Sequence, residues 1–351
     1  MKRQQQIEAW LQKQFPGTSF DLAPASADAS FRRYFRATFV DRTLIVMDAP
    51  PQHEDCRPFV HVAQLFGAAG VHVPQVLAQD LEQGFLLLSD LGNTTYLQAI
   101  SAGNAQKLYG TATDALIAIQ LASRENELPP YDEKLLMREM RLFPEWYIAK
   151  HLQTTLNEKQ STMLEKIFQR ILHNNLAQPR VYVHRDYHSR NLMVIESPLS
   201  NALPQAGERT NEKGNFLSSP GILDFQDAVY GPITYDLASL FKDAYVRWEE
   251  AEILGWLITY WEKARKAGLP VHADFADFYH DYEWMGVQRH LKVLGIFARL
   301  YHRDGKEGYL KDLPLVMEYV RKVCERYIDL KPLLRLLDEL EKKPAIWGLT
   351  L

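Results

Sequence analysis

At 351 residues the chain is long enough for two lobes, each with its own hydrophobic core. With 46% hydrophobic and 24% charged residues and a net charge of −4, its composition is that of an ordinary globular protein, with no broad basic surface to attract nucleic acid. No run of about 18 apolar residues provides a membrane span, and Lys2-Arg3 is followed by Gln4-Gln5-Gln6, not by the apolar core of a signal segment.

Taken in chain order, Ile7, Trp10, Leu11 and Phe15 recur at helical spacing and end at Pro16-Gly17, a breaker pair. Residues 31–49 alternate and then run apolar (Phe31, Tyr34, Phe35, Phe39, Leu44 to Met47), which predicts two or three antiparallel strands stopped by Pro50-Pro51. A helix over about 57–69 and strands near 73–79 and 84–89 complete a small mixed lobe. From Ala105 onward helices dominate, at 106–123, 156–176, 236–266, 274–303 and 313–341. Strands return only at 181–183, 192–195 and 221–224. The polar stretch from Ser197 to Ser219 between the last two reads as a long, mobile hairpin tip. Cys56 and Cys324 lie far apart without metal-ligand spacing. They read as buried thiols in a reducing compartment, so a cytoplasmic location is expected.

The most informative stretch is Val183-His184-Arg185-Asp186, with Asn191 five positions after the Asp and an apolar run behind it. That is the spacing of a kinase catalytic loop, in which the Asp meets the acceptor hydroxyl and the Asn carbonyl reaches a Mg²⁺ on the nucleotide phosphates. A second apolar run, Gly221-Ile222-Leu223, ends in Asp224, where a kinase places its other metal ligand. His302-Arg303-Asp304 is a built-in control. The residue five positions after its Asp is Tyr309, no second carboxylate follows, and it reads as a solvated helix end.

These motifs resemble those of the aminoglycoside-phosphotransferase branch of the protein-kinase-like fold, together with Gly231-Pro232-Ile233-Thr234-Tyr235-Asp236. Within that branch the chain is similar to bacterial anomeric sugar kinases that act on N-acetylmuramate and N-acetylglucosamine. Ser26 to Tyr34, Leu44 to Pro51 and Trp284 to Gly295 extend the similarity over nearly the whole chain. The resemblance implies a bilobal α+β fold: a small β-rich, nucleotide-binding N-lobe over 1–91, and a larger helical lobe over 92–351 with the catalytic loop, metal site and acceptor helices. It implies ATP and Mg²⁺ as cofactors, Asp186 as the catalytic residue, and Asn191 and Asp224 as metal ligands. The backbone of Ser89 and Leu91 would meet the adenine, and His188 and Asp236 would brace the loop. The implied product is a sugar 1-phosphate for cell-wall recycling.

One departure matters. The third strand, Leu44 to Asp48, has no Lys, and the helix from Pro58 to Gly67 has no Glu, so the usual phosphate-gripping pair is missing. The nucleotide loop has no glycine and offers Ser26 and Ser30 instead. Phosphate oxygens require another cation, and Arg32, Arg33 and Arg36 sit where strand alternation would aim at least one of them inward. On the acceptor side, Trp284, Val287, Leu291, Leu294, Ala298 and Tyr301 form a core face. Gln288, Lys292 and Arg299 share another stripe, with Arg289 and His290 beside them. This basic, amide-rich helix suits a neutral or anionic sugar, and Gln288, Arg289, Lys292 and Arg190 are the candidate acceptor residues. Phosphate-binding P-loop, dinucleotide-binding, zinc-protease and nucleophile-elbow motifs are absent. The expected function is therefore phosphorylation of a small sugar, with no nucleic-acid or membrane partner. Kinases of another small hydroxyl compound (an aminoglycoside, choline, another sugar) and a catalytically inactive nucleotide-binding regulator stay open as alternatives. The sequence leaves the oligomeric state open.

Overall fold

The structure is a computed structural model that describes residues 2–27, 31–197, 209–210, 216–217 and 219–341. In chain order it runs α1 (Lys2–Gln14), β1 (Asp21–Ala27), β2 (Arg33–Thr38), β3 (Thr43–Asp48), α2 (Arg57–Ala68), β4 (Val76–Asp80), β5 (Phe85–Ser89), α3 (Tyr96–Ala99), α4 (Ala105–Leu121) and α5 (Glu133–Leu142). A π-helix (Phe143–His151) follows, then α6 (Glu158–Ala177), β6 (Arg180–Val183), β7 (Leu192–Met193), the short strands β8 (Glu196–Ser197), β9 (Arg209–Thr210) and β10 (Phe216–Leu217), β11 (Gly221–Ile222) and β12 (Val229–Pro232). The chain ends with α7 (Tyr235–Phe241), α8 (Glu250–Lys266), α9 (Phe275–Asp304), α10 (Leu313–Arg326) and α11 (Lys331–Leu340).

The chain forms two compact units, one of residues 1–122 and 190–228, the other of 123–189 and 229–351. The boundary expected at residue 91 falls where sheet gives way to helix, and the first compact unit continues past it. The division cuts the loop between β6 and β7 after Ser189, so Asp186 belongs to the second unit and Asn191 to the first.

The first unit is built on an antiparallel sheet in the order β1-β2-β3-β5-β4. Period-2 alternation explains its two faces. Phe35, Ala37, Leu44, Val46, Phe85 and Leu87 point to one side and pack on Ile7, Trp10 and Leu11 of α1. Tyr34, Arg36, Ile45 and Leu88 point to the other, which lines a cavity. At Gly84 the backbone has φ +71° and an added Cβ would strike the Ala49 carbonyl, so only glycine closes that turn. Phe59 and Phe66 of α2 pack against Phe225, three residues beyond β11. The strands expected over 31–49 are β2 and β3; the sheet's outer strand, β1, comes from 21–27, where the sequence pattern predicts none. Pro24 and Ser26 flank an irregularity in its pairing, and that break in the pattern hides it. The tip expected over 197–219 falls largely outside the described residues. The described pieces, β8 to β10, form a small antiparallel sheet.

The second unit is helical around α9. From Asp281 to Gly295 every residue of α9 is buried, because α5, the π-helix, α6, α7 and α10 all pack on it. The sequence suggests a core face beside a polar stripe; instead Gln288, Arg289, His290 and Lys292 are inside, and Arg299 is half-buried. Asp274 caps its start through Oδ1, and Gly305 (φ +66°) caps its end. His302, Arg303 and Asp304 are exposed at that end, as expected of a solvated terminus. The passage from α5 into the π-helix follows from Pro144, which has no N–H to continue the α-helical ladder. Leu152 N then donates to Tyr147 O, five residues back. The segments 236–266 and 313–341, expected as single helices, each break into two. Cys56 and Cys324 are buried free thiols.

Candidate active site

The first unit holds a cavity of about 480 Å³. It is lined by apolar Ile45, Leu88, Met193 and Leu223 and, at one end, by Arg190, Asn191 and Asp224. Ser89, Asp90, Leu91 and Gly92 form part of its wall. Ser89 N–H donates to Gln75 O at 3.0 Å and is thereby engaged within the sheet. Arg36 fixes this turn: Nε donates to Asp90 Oδ2 at 2.6 Å, and Nη2 to Asp90 Oδ1 at 3.1 Å and Gly92 O at 3.2 Å.

Asn191 and Asp224 are brought together by strand pairing. β7 and β11 pair antiparallel, and Leu223 N donates to Asn191 O at 2.9 Å. Asp224 has φ +61°, a conformation rare for a non-glycine residue and typical of functional sites. Its carboxylate accepts from Gln226 Nε2 at 2.8 Å and from Asn191 Nδ2 at 3.4 Å. A carboxylate beside a carboxamide, both oxygen-bearing, is the donor set that suits a hard divalent cation such as Mg²⁺.

The three arginines separate. Arg32 Nη2 lies 3.9 Å from Asp224 Oδ1. Arg33 is turned to Asp48, a carboxylate with no exposed surface, through Nε at 3.1 Å. Arg3 reaches the same carboxylate at 2.8 Å. With Arg36 held by Asp90, Arg32 is the one of the three that reaches the Asn191–Asp224 end. Ser30 and the side chain of Ser26 lie outside the described residues.

In the second unit the loop after β6 is clamped at both ends. Asp236, on α7, accepts from His184 N at 2.7 Å and Arg185 N at 3.0 Å. Burial raises its pKa to about 7, and the negative charge of Asp186 adds to the rise. Asp243 accepts from Ser189 N at 3.0 Å and from its hydroxyl. Between the clamps Arg185 has φ +76°. His188 packs edge-on to Tyr245. Burial raises the pKa of Asp186, but Lys292, His188, Arg185 and Arg289 outweigh it and hold the carboxyl at about 2.

Asp243 and Glu139 are not among the residues expected from the sequence. Glu139 lies on α5, whose signals are the cap at Asp132 and the helical spacing of Leu136, Met137 and Met140. Its buried carboxylate forms an ion pair with Lys292 Nζ at 3.1 Å and accepts from Gln288 Nε2 at 3.4 Å, from Arg185 Nη2 and from the Tyr131 hydroxyl. Lys292 also donates to the Tyr235 hydroxyl at 3.0 Å. Gln288 Oε1 and Arg289 Nη1 are buried and have no hydrogen-bond partner among the described residues.

A sheet-based unit whose cavity carries a paired Asn and Asp, and a helical unit that presents a braced Asp, are the parts of a kinase-type phosphotransferase. The chain belongs to the phosphotransferase enzyme family, whose model matches residues 21–200 and 213–275. It is 47% identical to an N-acetylmuramate/N-acetylglucosamine kinase of Pseudomonas putida, over 97% of both chains. It is 48% identical to enzymes of the same name from Pseudomonas aeruginosa (96% of this chain, 97% of the other) and Neisseria meningitidis serogroup B (97% and 96%). Among solved structures, the choline kinase LicA of Streptococcus pneumoniae superposes with a TM-score of 0.61 at 12% identity, over 92% of this chain and all of that one. The gentamicin complex of APH(2″)-IIa gives 0.58 at 14% identity, over 89% and 95%. The fold is therefore the expected α+β, protein-kinase-like one. Among the described residues no helix is long and apolar enough to cross a membrane.

Proposed function

We propose that the protein transfers the γ-phosphoryl group of ATP, with Mg²⁺, to the anomeric hydroxyl of N-acetylmuramate or N-acetylglucosamine. The observation that carries this reading is the identity of 47–48% kept over nearly the whole of both chains with kinases named for those sugars. The site supports the same chemistry. On this reading the Ser89 carbonyl and the Leu91 N–H meet the adenine edge, while Ile45, Leu88, Met193 and Leu223 cover its faces. Arg32, with hydroxyls of Ser26 and Ser30, faces the phosphates in place of the missing strand Lys. Asn191 and Asp224 would hold Mg²⁺, which when bound neutralises charge on the phosphoryl oxygens.

Asp186 orients the acceptor. The hydroxyl oxygen attacks the γ-phosphorus, the bond to the bridging oxygen breaks, and ADP leaves with that electron pair. A carboxylate with a pKa of about 2 is a weak base. In a loose transition state, however, the hydroxyl passes its proton to Asp186 late, after bond formation has made it acidic enough for a weak base to take it. Aiming the nucleophile is then the larger part of the task. Gln288 and Arg289, two of the α9 residues with unmet polar atoms, would hydrogen-bond the sugar, and Arg289 would pair with an acceptor carboxylate. Arg190 adds a cation on the nucleotide side. Lys292 is committed to Glu139 and Tyr235.

An ADP-release assay over amino sugars, aminoglycosides and choline tests the proposal. Turnover confined to amino sugars, abolished by Asp186→Asn, is expected; turnover of choline or an aminoglycoside in preference to both sugars would overturn it.

A further inference from the structure

We infer that Glu139 is a positioning residue of the phosphoryl-transfer reaction: it clamps Arg185, the residue before Asp186, together with Lys292 of α9. This inference rests on the sugar-kinase reading above.

The geometry is specific. Glu139 comes from α5, Arg185 from the loop immediately before Asp186, and Lys292 from α9, so one carboxylate joins three separate segments. Lys292 Nζ lies 3.1 Å from Glu139 Oε1, and Arg185 Nη2 meets the same oxygen. The other oxygen takes the Tyr131 hydroxyl and Gln288 Nε2. The Arg185 guanidinium lies over the Tyr131 ring, 5.6 Å from its centre. Glu139 and Lys292 are almost entirely buried. A buried ion group of this kind is a costly way to hold a helix, since apolar side chains of equal volume do that at least as well. It is an effective way to fix a left-handed residue next to a reacting carboxylate, because each partner restrains the others in direction as well as distance.

The groups that face Lys292 are Glu139 from α5, Tyr235 from α7, and Arg185 and Asp186 from the loop. Burial alone lowers the pKa of Lys292, and Glu139 is the largest of the charges that raise it. Without the Glu139 charge, Lys292 becomes a buried ammonium beside another cation and sheds its proton as the pH rises. The loss of its charge would then appear as a basic limb in the rate.

The test is steady-state kinetics of Glu139→Gln with Mg²⁺–ATP and N-acetylglucosamine from pH 6 to 9.5, beside Glu139→Gln/Lys292→Met. For Glu139→Gln, kcat should fall at least tenfold at pH 7.5 while the KM for ATP stays within twofold. A basic limb absent from the wild type should appear, and the double variant should lack it. If Glu139→Gln does not fold, Lys292→Met takes its place: Asp186 loses its strongest cation, and kcat/KM should gain an acid limb at higher pH than the wild type. A wild-type kcat and profile in Glu139→Gln, or an equal loss at every pH, would contradict the clamp alone. Failure of the wild type on every amino sugar would contradict the clamp and the proposed function together.

Discussion

Asp186 stays ionised at every pH at which ATP is a useful donor, because the surrounding cations hold its pKa near 2. The sign follows from the depressed value: the ionised carboxylate, the form the proposed reaction needs, is present above that pKa and is lost only as the pH falls through it. The kcat/KM profile of the wild type should therefore show no limb from Asp186 between pH 5 and 7. Asp186→Asn keeps the size of the side chain and removes the acceptor of the hydroxyl proton. It should cut kcat by about 10²–10⁴ while the Kd for ATP, measured by calorimetry, changes little. The arginines give a second comparison. Arg32 lies beside Asp224, whereas Arg33 is bound to buried Asp48. Arg32→Met should raise the KM for ATP about tenfold. Arg33→Met should leave KM alone and cost about 1 kcal/mol of stability in denaturant, a modest amount because its side chain is half exposed and Arg3 still reaches Asp48. Equal effects of the two on KM would contradict the assignment.

At the scale of elements, α9 and the catalytic loop carry the arrangement. Gly295 sits where α9 crosses the junction of α5 and the π-helix, and an added Cβ would collide with the Leu142 carbonyl. Gly295→Ala should therefore destabilise the protein by about 1–3 kcal/mol in urea unfolding, even though alanine is the better helix former. Much at this scale was legible in the sequence. The apolar runs after Asn191 and before Asp224 located β7 and β11, because short apolar runs bounded by polar residues are the mark of paired, buried strands. Glu139 was not legible. A single Glu in an amphipathic stretch has no local mark, and only the tertiary approach of α9 and the loop gives it three partners. The buried state of Gln288, Arg289 and Lys292 was equally hidden: periodicity reports one face of a helix, and α9 is covered on all sides.

At the scale of the molecule, the first unit brings Ser89, Leu91, Asn191 and Asp224 to one cavity, and the second braces Asp186 from two aspartates and a buried ion group. Nucleotide binding should therefore stabilise the protein before any acceptor is present. Mg²⁺–ATP at about 100 times its Kd is expected to add about 2.7 kcal/mol, read as a rise in Tm that Asp224→Ala greatly reduces. The most direct test of the whole account is the ³¹P NMR spectrum of the product formed from Mg²⁺–ATP and N-acetylglucosamine. The account predicts one new phosphomonoester signal coupled to the anomeric proton, and none with Asp186→Asn. Phosphate coupled to a proton elsewhere on the ring, or no sugar phosphate from an enzyme that phosphorylates choline, would contradict it.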